Sequence, residues 1–120
     1  MIRIITLALC VSFTSMSFGK DVNGYYWVKG VGVHSCGKFI SGYESPDLTA
    51  FREYLHYTVG VITGYNIGND KTFDILGDTD LAGIWAFIEK HCRENPLDQF
   101  GNALDSLIYE LYPNRTITKP

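Results

Sequence analysis

The fold is decided by residues 45–68, which read SPDLTAFREYLHYTVGVITGYNIG. Serine is a favoured N-cap and proline suits the first helical position, so Ser45 and Pro46 predict a helix start. Apolar residues then recur at spacings of three and four, as on one helical face: Leu48, Phe51, Leu55, Val59, Ile62 and Tyr65. Three more residues widen this stripe, namely Tyr54, Thr58 and Val61. We therefore predict a central helix of about twenty residues that is buried on most sides.

Two glycines in this helix, Gly60 and Gly64, lie four residues apart on one helical face. In a membrane this spacing is typical of a helix dimer. Here it favours close packing of a neighbouring helix, because glycine lets two backbones approach each other. Asn66 and Gly68 then predict the end of the helix.

A short helix is predicted before the long one, and a third helix after it. Ser35 caps the short helix, which includes Cys36 and stops at Gly42. Asp78 or Thr79 caps the third helix, where apolar residues again repeat at three and four: Leu81, Ile84, Trp85, Ile88 and Cys92. This pattern places Cys92 on the face directed at the core.

The fourth helix is predicted to begin at Asn95, a good cap, with Pro96 in the first helical position. Its apolar face consists of Leu97, Phe100, Leu104, Leu107 and Leu111. The chain is thus predicted to be all-α, a small bundle of three main helices plus a short N-terminal helix. Residues 35–111 form this helical domain, and residues 112–120 are predicted to be a mobile tail.

The first nineteen residues are predicted to be a secretory signal peptide. Arg3 supplies a positive charge, residues 4–13 are almost wholly apolar, and small residues occupy positions 17 and 19, before the expected cleavage site. A lipoprotein anchor at Cys10 is the weaker alternative, because bulky Leu9 stands where a small residue belongs. We therefore expect a periplasmic or secreted protein, cleaved after Gly19.

Length and composition exclude several classes of protein. A chain of 120 residues with 46% apolar residues matches one globular domain and is too apolar for a disordered segment. The formal net charge is −3, without a block of like charges, so we expect no nucleic-acid partner. No apolar run reaches the roughly 18 residues that a membrane span needs.

Two cysteines, Cys36 and Cys92, remain once the signal peptide has removed Cys10. In an oxidising compartment an even number of cysteines favours a disulfide, here between the first and third helices. Two alternatives stay open at this point. Either the two thiols are free, or His34 and His91 bind a zinc ion together with the two cysteines, although the spacing of these four residues matches no common zinc motif.

Residues 20–34 mix glycine with aromatic residues and valine, which predicts an extended N-terminal arm. Tyr25, Tyr26 and Trp27 either cover one end of the core, as large aromatic surfaces usually do, or form a binding surface. Residues 67–78 form the longest predicted loop, where Phe73 is a further candidate for contact with a partner. These four aromatic residues are the candidate partner-binding residues.

Motifs for catalysis or metal binding are weak. The chain contains no Gly-x-Ser-x-Gly, no His-Glu-x-x-His and no phosphate loop, so we expect neither enzyme activity nor a cofactor. Residues 78–89 resemble a calcium loop in spacing, with Gly83 and Glu89 in place. Ala82 stands where that loop needs Asp or Asn, and a capped helix fits the same residues.

Three motifs and their order resemble a known group of proteins: Ser35-Cys36-x-x-Phe39, Gly60-x-x-x-Gly64-Tyr65 and His91-Cys92-x-x-Asn95-Pro96. They are similar to those of small secreted helical proteins of the HdeA/HdeB type, the periplasmic acid-stress chaperones and their relatives. The resemblance implies an all-α fold, a periplasmic location, no cofactor, and a disulfide between Cys36 and Cys92.

A similar layout occurs in secreted immunity proteins that neutralise peptidoglycan amidases delivered by type VI secretion. From the resemblance to the HdeA/HdeB type, the expected function is a secreted, non-catalytic protein-binding module with a chaperone-like role in acid stress. The alternative is an immunity protein or inhibitor that neutralises one exported enzyme. Both versions need a protein partner.

Overall fold

The computed structural model describes residues 20–120, so the predicted signal peptide and Cys10 lie outside the described residues. Four α-helices follow one another: α1 (Cys36–Tyr43), α2 (Leu48–Gly68), α3 (Leu81–Glu94) and α4 (Phe100–Leu111). Short 3-10 helices occupy Gly30–Val33 and Tyr112–Asn114. The described part of the chain has two isolated β-bridges and no strand. The all-α prediction is confirmed, and α1 is the predicted short helix.

A disulfide joins Cys36 of α1 to Cys92 of α3, with 4.7 Å between the two Cα atoms. The predicted inter-helix disulfide is confirmed, and both sulfur atoms are bonded to each other. The alternatives of free thiols and of a zinc site on these cysteines are therefore excluded. Residues 20–120 contain no other group of His, Cys, Asp and Glu side chains that could hold a metal ion.

The core forms around the disulfide, where α1, α3 and α4 meet. Phe39 of α1 and Phe100 of α4 are fully buried, and their ring centroids lie 4.9 Å apart. Ile84 and Ile88 of α3 complete the buried interior. Such ring pairs contribute about 0.5–1.5 kcal/mol beyond the area that they bury.

One of the four predicted helix caps is confirmed and three are wrong. Ser35 Oγ accepts a hydrogen bond from Lys38 N at 3.2 Å, as predicted for α1. At α3 the cap is Asp80, whose Oδ1 accepts from Gly83 N at 2.8 Å, rather than Asp78 or Thr79. Since α3 then runs unbroken from Leu81, the calcium-loop interpretation is wrong.

The starts of α2 and α4 lie later than predicted. α2 is capped by Asp47, because Ser45 Oγ instead accepts a hydrogen bond from Asp47 N in the preceding turn. Before α4, the carbonyls of Pro96 and Asp98 accept hydrogen bonds from Gly37 N and Cys36 N. The start of α1 thus takes up carbonyls that a helix from Pro96 would need, and α4 begins at Phe100.

α2 is buried along one side only, which corrects the prediction of a central helix. Tyr54 and Thr58 are buried, whereas Leu48 and Val59 of the predicted stripe are about half exposed. Tyr54 decides this orientation, because its ring packs 5.2 Å from Phe39 and 4.8 Å from Phe100.

The predicted packing at Gly60 and Gly64 is also wrong within the described chain. A Cβ atom placed on either glycine would meet no atom within 4 Å. No neighbouring helix in residues 20–120 therefore approaches this part of α2.

Part of the predicted mobile tail is held against the 67–78 loop. Phe73 N donates to Thr116 O at 2.8 Å, and Thr116 N donates to Asp74 O at 2.9 Å. Asn66 of α2 fixes the same loop, because its side-chain oxygen accepts from Ile75 N at 2.8 Å. The chain is therefore tied down as far as Thr116.

Residues 20–120 contain no helix with the length and apolar character needed to cross a bilayer.

Candidate functional site

The N-terminal arm begins with a tight turn around Asp21. Asp21 Oδ1 accepts hydrogen bonds from Asn23 N and Tyr25 N, each at 2.8 Å. Gly24 allows the turn, since its φ of +84° is costly for residues with a side chain. The turn sends the chain back along the body as an extended segment.

Side chains along this segment alternate between the body and the solvent, as expected for extended backbone. Tyr26 and Val28 are directed toward α4, while Tyr25 and Trp27 are 73% and 82% exposed. Tyr26 donates its hydroxyl hydrogen to the Asp105 carboxylate of α4. Burial, followed by the Asp105 contact, raises the pKa of Tyr26 to about 12, so this donor stays protonated at neutral pH.

Val28 packs into a space left by two glycines, Gly32 and Gly101, which we call the glycine seat. A Cβ on Gly32 would lie 2.6 Å from Val28 Cγ1 and closer still to the Tyr57 hydroxyl. A Cβ on Gly101 of α4 would lie 3.2 Å from the same Val28 atom. A side chain at Gly32 requires its neighbours to move, and one at Gly101 fits only if Val28 or the Gly32 backbone shifts slightly, so the path of the arm depends most on Gly32.

The arm and the body enclose an open groove of about 530 Å³. Its lining is mainly aromatic and aliphatic, with two polar side chains: Asp21, Tyr25, Tyr26, Trp27, Val28, Val33 and Gln99. We call this the arm groove. Cationic side chains flank it, because Lys29 Nζ lies 4.5 Å from the Trp27 ring centroid and Lys20 Nζ lies 5.5 Å from that of Tyr26.

His34 and His91 each link a helix to a connecting segment. His34 Nδ1 lies 3.1 Å from the Tyr54 hydroxyl, and His91 Nε2 lies 3.0 Å from Asp98 Oδ2. Neither histidine lines the arm groove. The groove therefore offers apolar contact surface and hydrogen-bonding groups, rather than a nucleophile beside a base.

The structure brings together three of the four predicted partner-binding residues. Tyr25, Tyr26 and Trp27 line one groove, whereas Phe73 pairs through its backbone with Thr116 and does not line it. Sequence reasoning missed Val33 and Gln99, which join the groove only because the segment before α1 pairs with the start of α4. Local composition carries no signal for that pairing.

Comparison with known proteins places the chain in no group. No family model matches it, and neither a curated protein nor a solved structure is significantly similar. The geometry of the arm groove therefore carries the functional argument.

Proposed function

We propose that this chain is a secreted, non-catalytic protein-binding module that holds a segment of one exported protein in the arm groove. The observation that carries the proposal is Trp27, which is 82% exposed beside Tyr25, which is 73% exposed. Tryptophan and tyrosine supply much of the energy at protein interfaces. Adjacent exposed aromatic rings that line one groove are therefore suited to contact with a partner.

The arm also offers backbone groups to a partner. Tyr26, Trp27 and Val28 make no backbone–backbone hydrogen bond to any described residue. Extended segments of this kind accept a partner strand edge to edge, with side-chain pockets supplying the specificity. We therefore expect an extended peptide segment whose apolar side chains rest on Trp27 and Val33.

The preformed groove favours a single dedicated partner. Hydrogen bonds to Asp21 and Asp105 and the glycine seat hold the backbone of the arm and the Tyr26 ring in place before binding, which lowers the entropic cost of association. An inhibitor of one exported enzyme, such as a peptidoglycan amidase, fits this arrangement better than a chaperone that exposes its surface on unfolding. The periplasm is the compartment in which such a partner would be met.

Site-specific crosslinking in the native host tests this proposal. A photoreactive phenylalanine analogue replaces Trp27 in one variant and Leu81, which is 59% exposed at the start of α3, in the control. We expect one dominant adduct from position 27 that is absent from position 81, and mass spectrometry then identifies the partner. Equal adducts at both positions, or none at position 27, would reject the arm groove as the binding site.

The purified partner then gives the energetic test. Trp27→Ala should weaken binding about thirtyfold, corresponding to the loss of about 2 kcal/mol at an interface hot spot. Leu81→Ala should leave the affinity unchanged. Titration calorimetry with both variants separates a loss at the groove from a general loss of fold.

A further inference from the structure

The exposed face of α2 lacks charge from residue 54 to the end of the helix. Residues 54–69 contain sixteen consecutive positions without Asp, Glu, Lys or Arg, and His56 is the one imidazole among them. Exposed helix faces normally carry charged side chains, whereas the centres of protein interfaces are depleted of them. The composition of this helix therefore indicates that a second surface covers it.

The uncovered residues form one continuous strip. It lies opposite Tyr54 and Thr58, which are buried against the body, and consists of His56, Val59, Gly60, Thr63 and Ile67. Val59 is 48% exposed and Ile67 is 82% exposed. Gly60 leaves the centre of the strip flat, since no atom lies within 4 Å of a Cβ placed there. A second helix can thus approach the backbone of α2 closely at this point.

Charges at the two ends of the strip identify what covers it. Arg52 and Glu53 precede the uncharged stretch, and Asp70 and Lys71 follow it. None of these four side chains forms an ion pair with any residue in the range 20–120. Each end of the strip therefore carries one acidic and one basic side chain, and the charges of a second copy of the helix can pair with them.

We propose that two copies of this chain pack α2 against α2 in antiparallel orientation, forming a two-fold dimer across the strip. In this register the first turns of α2, with Arg52 and Glu53, face the segment just beyond the end of α2 of the partner subunit, with Asp70 and Lys71, so each acid lies near a base. The two-fold axis then passes near residues 61 and 62, between Gly60 and Gly64, where the backbones come closest. A parallel pair would instead place like charges together at both ends.

The size of the contact sets its strength. The fifteen helical residues 54–68 span about 23 Å, so one helix pair buries less than the roughly 800 Å² per partner of a standard interface. We expect a dimer with a dissociation constant in the micromolar range, weakened by salt because the terminal charge pairs are exposed. No α2 residue lines the arm groove, so this proposal and the proposed function stand or fall separately.

Sedimentation velocity over a concentration series tests the dimer. The full chain is expressed for export and purified as processed, and intact mass spectrometry first establishes which residues the protein retains. We expect the sedimenting mass to rise from monomer to dimer between about 1 and 100 µM. A monomer at every concentration overturns the proposal.

Paired variants locate the interface. Val59→Arg places like charges across the two-fold axis and should raise the dissociation constant at least about tenfold. Leu97→Arg makes the same change at a position that is 95% exposed outside α2, and should leave the dimer unchanged. Circular dichroism of both variants checks that the helices are retained. Equal weakening by the two substitutions, or crosslinking through position 59 to a different protein, excludes a second copy as the occupant.

Discussion

The disulfide-centred core and the N-terminal arm use aromatic residues in opposite ways. Phe39 and Phe100 are completely buried, while Trp27 and Tyr25 are mostly in solvent. The difference arises from local geometry, because aromatic residues of all four helices surround the phenylalanines, whereas an extended segment presents one side to the body and the other to water. Aromatic content therefore stabilises the fold in one region and provides contact surface in the other.

Removing the disulfide should have the largest effect on the core. Replacing Cys36 and Cys92 together by alanine removes a crosslink between residues 56 positions apart. Loop-closure entropy in the unfolded chain predicts that the free energy of unfolding falls by about 4 kcal/mol. Urea unfolding followed by far-UV circular dichroism measures the change. Wild-type protein under reducing conditions is the control and should match the double variant. A loss below about 1 kcal/mol would show that packing around Phe39 suffices without the crosslink.

Gly32→Ala should have the next largest effect, and it acts where the arm meets the body. The new methyl group would clash with Val28 Cγ1 and the Tyr57 hydroxyl, so the arm must shift. Overpacking of this kind costs about 1–3 kcal/mol. Thermal unfolding measures the cost, and loss of the crosslinked adduct at position 27 reports the displaced arm.

Gly68→Ala is the matched control for Gly32→Ala. A Cβ atom at Gly68 meets no atom within 4 Å, so stability should be unchanged or slightly raised. Equal losses of stability from the two substitutions would mean that the cost comes from replacing the flexible backbone of glycine rather than from the clash with Val28.

Sequence patterns predicted the local features of this fold and missed those that depend on distant contacts. The Ser35 cap and the Cys36–Cys92 disulfide were predicted from local chemistry and from an expected oxidising compartment, and the cap and the disulfide are confirmed. The start of α4 was wrong because α1 takes up the carbonyl of Pro96, which is remote in sequence. The prediction of which side of α2 is buried was wrong for a similar reason. The predicted stripe and the residues beside it are both apolar, so only the contact with Phe100 determines that Tyr54 faces the core.

The candidate site divides in the same way. A run of aromatic residues within a glycine-rich segment identified Tyr25, Tyr26 and Trp27 as candidates. Whether they were buried or exposed could not follow from composition, because both outcomes use the same residues. Exposure was decided by Asp105, on α4 and far along the chain, which fixes Tyr26 and thereby directs its neighbours outward.

Acid should weaken the junction between α3 and α4 by a smaller amount. Hydrogen bonds from Asn102 and then from His91 hold the pKa of Asp98 below its usual value. A carboxyl group of this kind stabilises the fold above its unfolded pKa of about 3.9 and loses that contribution as the pH falls through the lower folded value. Asp98→Asn should therefore flatten the loss of stability below about pH 4.

A pH titration of the tertiary structure distinguishes a chaperone from a dedicated inhibitor. Near-UV circular dichroism and dye binding between pH 7 and 2 follow the tertiary structure of wild-type and Asp98→Asn proteins. We expect the disulfide-linked core to keep its near-UV signal over most of this range. Reversible loss of that signal with dye binding would instead favour the acid-activated chaperone.

Trp27→Ala should have the smallest effect on stability and so sharpens the contrast with the core. Trp27 is 82% exposed, and its described partner is the Lys29 ammonium group over the ring. An exposed cation–π contact contributes about 0.5–1 kcal/mol, whereas Phe100→Ala should cost about 3–5 kcal/mol because it empties the core. Urea unfolding of the two variants measures both values. A loss at Trp27 comparable to that at Phe100 would mean that the arm belongs to the core, and its aromatic residues would then be structural rather than part of a binding surface.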